Sequence, residues 1–91
     1  MIKVFFIAKI KNFDEEYYDY SKRVREKAET MPGFINIISE EKDDVEITIS
    51  SWKTKEDVEA WRKDPLHMEA KAKAKEWYHW VKGIHVEAVD E

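Results

Sequence analysis

Residues 51–81 read SWKTKEDVEAWRKDPLHMEAKAKAKEWYHWV and hold all four tryptophans of the chain, Trp52, Trp61, Trp77 and Trp80. A tryptophan is costly to place, because its large ring seeks burial while the indole N–H still needs a partner. Four in so short a span mark an aromatic core or the wall of a pocket. Within the stretch, Thr54-Lys55-Glu56-Asp57 has the form of a capping box and predicts a helix that buries Val58 and Trp61. Asp64-Pro65 predicts a second start, with Asp64 as N-cap and Pro65 in the first turn. From there Leu66, Ala70, Ala74, Trp77 and Val81 share one helical face, and Gly83 is expected to end the helix. The segment reads as one helix broken in its middle.

Working outward, residues 2–11 alternate at period two. Ile2, Val4, Phe6, Ala8 and Ile10 share one face, while Lys3, Phe5, Ile7, Lys9 and Lys11 share the other. A strand apolar on both faces at its centre must be covered on both sides. Residues 13–31 switch to helical spacing, with Phe13, Tyr17, Tyr20, Val24, Ala28 and Met31 in one stripe. Asn12 or Asp14 can cap that helix, and Pro32-Gly33 stops it. Residues 34–42 and 44–52 predict two strands around an acidic turn, and 84–89 a last strand. The order is β-α-β-β-α-β. It predicts an α+β, ferredoxin-like split arrangement, a four-stranded antiparallel sheet with helices on one face, as a single domain over 1–91. A lone helix layer covers one sheet face, so Phe5 and Ile7 call for a second copy, and a homodimer is expected.

The chain has 91 residues, 43% apolar and 40% charged, with a net charge of −4 and no cysteine. Apolar content of this size supports a core and argues against disorder. The negative balance gives no basic footprint for nucleic acid. Disulfides, thiolate metal sites and a cysteine nucleophile are excluded. Lys3, Lys9 and Lys11 interrupt the only candidate targeting segment, and no apolar run approaches the length of a membrane span. A cytoplasmic location without membrane partners is the expectation.

Pro32-Gly33-Phe34, Trp52, Val58-Glu59-Ala60-Trp61, Asp64-Pro65-Leu66-His67 and Trp77-Tyr78 together resemble the antibiotic-biosynthesis monooxygenase superfamily. The resemblance spans residues 2–89. It implies a dimeric α/β barrel, in which two sheets pack face to face, and covers Phe5 and Ile7 in that way. Members include cofactor-independent monooxygenases acting on polycyclic aromatic substrates and haem-degrading monooxygenases. The resemblance therefore implies an oxidoreductase acting on an apolar aromatic small molecule without a cofactor. The alternatives are a haem-binding or haem-degrading relative and a non-catalytic dimeric ligand-binding module. The haem-degrading branch uses an Asn on the first strand, a Trp on the second helix and a His further along it. Trp61 matches the tryptophan, but the first strand has no Asn and the ligand position falls near Ala70, one turn beyond His67. Haem is disfavoured on that pattern.

His67 is the candidate catalytic residue, because imidazole titrates near neutral pH and can take a proton or bind a substrate oxygen. Trp61 and Trp52 are the candidate ring-stacking walls, and Asn36, Thr48 and Ser50 the polar strand positions that could line a cavity with them. His85 lies on the strand face opposite Ile84, Val86 and Ala88, as an edge histidine. The three histidines have no metal-ligand spacing, and no metal site is expected.

Overall fold

The computed structural model describes residues 1–88. Its elements are β1 (Ile2–Ile10), α1 (Glu15–Thr30), β2 (Phe34–Lys42), β3 (Val45–Trp52), α2 (Lys55–Arg62), α3 (Pro65–Trp77) and β4 (Tyr78–Glu87). The four strands form one antiparallel sheet in the order β2-β3-β1-β4. This is the ferredoxin-like α+β arrangement, with the second helix divided into α2 and α3.

Local chemistry explains the starts. Asp14 caps α1 by accepting from the Tyr17 N–H at 2.8 Å, with Glu15 and Glu16 at the positive helix end. Thr54 caps α2 by accepting from the Asp57 N–H at 3.2 Å, and the Thr54 hydroxyl donates to Asp57 Oδ2 at 2.9 Å. Asp64 caps α3 by accepting from the Leu66 and His67 N–H groups at 3.0 and 3.3 Å, with Pro65 in the first turn. After α1 the chain turns at Gly33, whose φ of 81° suits glycine and where a Cβ would strike the Asp57 side chain. The β2–β3 hairpin turns on Asp43 and Asp44, with φ of 53° and 63°, the positive pair that a tight two-residue turn demands.

One boundary differs from expectation. The periodicity predicts that α3 runs on through Val81 to Gly83, whereas the helix ends at Trp77 and Tyr78 opens β4. Tyr78-His79-Trp80-Val81 is aromatic and β-branched, and its backbone finds partners along β1, from Ile10↔Tyr78 down to Ile2↔Glu87. Gly83 is a mid-strand residue opposite Phe6. Of the last strand expected over 84–89, Val89 lies outside the described residues.

Register sorts the two sheet faces. Ile2, Val4, Phe6 and Ala8 of β1 pair with Trp52, Ser50, Thr48 and Glu46 of β3, and these residues face the helices. Phe5 and Ile7 pair with Ile49 and Ile47 on the opposite face, where Ile38, Trp80, Ile84 and Val86 are also exposed. Among the described residues no helix is long and apolar enough to cross a membrane.

Candidate functional site

The core beneath the helices is divided in two. One cluster gathers Ile2, Ala28, Trp52, Val58 and Trp61; the other gathers Ala8, Tyr17, Tyr20, Trp77 and Tyr78. They sit at opposite ends of β1, and the strand positions between them, Val4 and Phe6, are only half-buried. A cavity of about 510 Å³ occupies this gap. Small side chains leave the space open: Thr48 and Ser50 on β3, Ala70 and Ala74 on α3. Exposed Arg25 of α1 and Lys71 of α3 also border it, so the space opens to solvent at the helix layer. A concave apolar space with a few polar groups is the usual architecture of a small-molecule site.

Trp61 and His67 form one wall. The break between α2 and α3 places them together: the imidazole lies flat on the indole, centroids 4.4 Å apart and planes 9° apart. His67 Nδ1 lies 3.1 Å from the Trp61 carbonyl oxygen. A carbonyl can only accept, so in the neutral ring Nδ1 carries the proton and Nε2 is left as a lone-pair acceptor. Burial pushes the His67 pKa below its ordinary value, against the Trp61 carbonyl, which favours the charged ring; Lys71 and Arg62 add to the lowering and Asp64 opposes it. The imidazole is therefore held neutral, as a base or hydrogen-bond acceptor.

The other expected site residues divide. Ser50 lines the cavity. Trp52 has no exposed surface and lies behind Trp61, ring centroids 5.8 Å apart, with its indole N–H donating to Ser50 Oγ at 3.0 Å. It supports the wall without forming it. Asn36 does not join Thr48 and Ser50: a register shift between Phe34 and Asn36 pairs Asn36 with Ser51, on the opposite sheet face. The bulge inserts one residue and so reverses the alternation. His85 borders the cavity from the edge strand β4 and is exposed. Among the described residues no group of three or more His, Asp or Glu gathers as metal ligands would.

The opposite end of the cavity holds a polar cluster that the sequence did not single out. Glu46 is 6% exposed. Its Oε1 accepts from the Tyr17 hydroxyl at 2.7 Å and the Tyr78 hydroxyl at 2.8 Å, and its Oε2 from the Thr48 hydroxyl at 3.0 Å. The carboxylate fits there because its cross-strand neighbour on β1 is Ala8. Burial, then the hydrogen bond with Glu46, pushes the Tyr17 pKa far up; burial, then Tyr17 and Glu46, does the same to Tyr78. Both phenols stay protonated. Glu46 shares a strand face with Thr48, Ser50 and Trp52, the one signal the sequence offered; nothing in it placed Tyr17 and Tyr78 on the same oxygen. Trp77, between the Tyr17 and Tyr20 rings, has a buried indole N–H without an acceptor among the described residues.

No protein-family model matches the sequence, and no curated protein sequence does either. Solved structures do match the fold. SnoaB, a cofactor-independent oxygenase from Streptomyces nogalater, aligns over 99% of this chain and 94% of its own at 12% identity, with a TM-score of 0.82. An antibiotic-biosynthesis monooxygenase aligns over 99% and 100% at 14% identity, with a TM-score of 0.79. The fold is that of the antibiotic-biosynthesis monooxygenases. A conserved protein from Methanosarcina mazei aligns over 93% and 89% at 13% identity, with a TM-score of 0.83. At such identities the likeness concerns the antibiotic-biosynthesis monooxygenase fold, and one fold hosts many activities.

Proposed function

We propose that this chain is a cofactor-independent monooxygenase of an apolar, hydroxylated aromatic small molecule, bound in the cavity between the sheet and the broken helix. One observation carries the proposal: His67, its Nδ1 3.1 Å from the Trp61 carbonyl oxygen and its ring flat on Trp61, stands in the wall of an apolar, aromatic-lined space. The description of SnoaB as a cofactor-independent oxygenase supports the absence of a cofactor. In this account the ring of the substrate stacks near Trp61, and His67 Nε2 takes a proton from an activated CH2 carbon of the ring system. The resulting carbanion is the electron source for O2. A C–O bond forms at the activated CH2 carbon, and loss of water leaves a carbonyl, so that one O2 gives one carbonyl and one water. The apolar walls keep bulk water from quenching the carbanion. The haem alternative fits poorly, because β1 carries no Asn and Ala70, which borders the cavity, offers no ligand atom.

The same proposal takes residues 1–91 as one domain working as a homodimer. The support is the sheet face opposite the helices, where Phe5, Ile7, Ile47, Ile49 and Ile84 form a continuous apolar surface in paired positions. A second sheet would cover it. Sedimentation should give a dimer at micromolar concentration, and Phe5→Asp should give a monomer of lower stability, since it would place an unpaired charge in the interface. A wild-type monomer would remove the barrel from the account.

The test of function is tryptophan-fluorescence titration with planar phenols, alongside oxygen uptake. Wild type should bind and consume O2; His67→Ala should bind and lose turnover by about 10²–10⁴-fold; Trp61→Phe should bind more weakly. Equal turnover in His67→Ala would remove His67 from the chemistry. No response to any phenol would favour a non-catalytic module.

A further inference from the structure

The hydroxyl hydrogens at the tyrosine end of the cavity all run one way. Tyr17 and Tyr78 donate to Glu46 Oε1 and Thr48 donates to Oε2. Thr48 Oγ1 also lies 2.7 Å from Ser39 Oγ. A threonine hydroxyl has one hydrogen, and that of Thr48 is committed to Glu46, so Ser39 is the donor of this pair. All four hydroxyl-bearing residues and Glu46 line the cavity. With the Tyr17, Tyr78 and Thr48 hydrogens committed to the carboxylate and that of Ser39 to Thr48, what these groups keep for a ligand is lone pairs. Glu46 has no ion-pair partner among the described residues, and three hydroxyl donors satisfy it in place of a cation. The pKa values of Tyr17 and Tyr78, raised by burial and by Glu46, keep both donors protonated at neutral pH.

We infer that the Tyr17–Glu46–Tyr78 cluster is a second binding subsite, which accepts a hydrogen bond from a hydroxyl at the end of the substrate remote from His67. This rests on the cavity being the substrate site and narrows the substrate class. The two polar ends of the cavity, His67 Nε2 and the Glu46 cluster, are both acceptors. The complementary molecule is a flat aromatic with a hydroxyl at each end, the reduced diphenol and not the quinone. A carbonyl placed against the cluster would meet only lone pairs, and a buried pair of acceptors without a hydrogen between them is penalised. The cationic residues that border the cavity, Arg25, Arg62, Lys71 and Lys82, are all exposed. The cluster thus also acts as a filter: a molecule that presents a carbonyl there in place of a hydroxyl is bound more weakly.

The experiment is a fluorescence titration of the full chain with a naphthalenediol, its mono- and dimethyl ethers, and naphthoquinone. The diol should bind about tenfold more tightly than the monomethyl ether and more tightly still than the dimethyl ether or the quinone. Glu46→Gln, which brings an N–H2 donor to the same place, should shrink the preference of diol over quinone. Should Glu46→Gln fail to fold, Tyr78→Phe serves instead, and should weaken the diol while leaving the dimethyl ether unchanged. Equal binding of diol and dimethyl ether, or quinone binding as tight as diol, overturns the subsite while the cavity itself stands. A naphthylmethylamine that binds more tightly than the diol overturns the hydroxyl assignment in favour of a cation. No binding by any probe overturns the cavity and the subsite together.

Discussion

The two ends of the core are built by opposite means. At the tryptophan end, Trp52 stacks behind Trp61 and Phe34 meets Trp52 edge-on, and the Trp52 indole N–H donates to Ser50. At the tyrosine end, Tyr17 and Tyr78 are tied by hydrogen bonds to the buried carboxylate of Glu46. The first end is held by burial, which is non-directional and tolerates a change of shape within limits of volume. The second is held by directional bonds, which specify one arrangement but leave costly orphans when any member is removed. A hollow between two such ends can persist, because neither cluster depends on filling it.

The largest expected effect breaks the first end. Trp52→Ala removes a side chain with no exposed surface and should cost about 3–5 kcal/mol, read by urea denaturation. Tyr78→Phe keeps the ring and removes one donor, and should cost about 1–2 kcal/mol. Loss of similar size from both would mean that the two ends are not held differently. Coupling should separate them as well. Tyr17→Phe and Tyr78→Phe share the acceptor Oε1 and should be non-additive, whereas Trp52→Ala and Tyr17→Phe should add.

The pH dependence sharpens the comparison next. The folded-state pKa of His67 is lowered, so below its ordinary value the unfolded chain binds the extra proton and the folded chain resists it. Stability should be level above about pH 6.5 and fall as the pH drops below it, and His67→Phe should flatten that slope. Tyr17 and Tyr78 have raised values, so above about pH 10 the unfolded chain loses protons that the folded chain keeps. Stability should fall as pH rises through that range, and the double variant with both phenols removed should fall less. Acid probes the tryptophan end and alkali the tyrosine end.

How much of this was legible in the sequence depended on distance along the chain. Caps and turns are local, so Thr54, Asp64 and Pro32-Gly33 marked the element boundaries well. The pairing of Trp61 with His67 was also local, because it sits across one helix break. The end of α3 was missed because Ala74, Trp77 and Val81 keep helical spacing, while the competing strand partner, β1, lies far away in sequence. Asn36 was misplaced by a single inserted residue that flips every later side chain. The Glu46 cluster was invisible because its three members come from α1, β3 and the start of β4, joined only by register and packing.

The smallest effect concerns the turn beyond the tyrosine end. Asp44 has a φ of 63° and its carbonyl accepts from the Ile10 N–H at 2.7 Å. Asp44→Gly relieves the positive-φ cost while keeping that carbonyl, and should stabilise by at most about 0.5–1 kcal/mol in thermal unfolding. It should leave phenol binding unchanged.

The central claim is that the space between the two clusters is a binding site with an acceptor at each end. The most direct measurement is a crystal structure of the chain with a naphthalenediol. The ring should lie over Phe6 between Trp61 and Tyr78, with one hydroxyl within hydrogen-bond distance of His67 Nε2 and the other at the Tyr17–Glu46–Tyr78 cluster. A structure in which Trp61, Tyr17 and Tyr20 close into the gap as solid core, with the diol absent from it, would contradict the account.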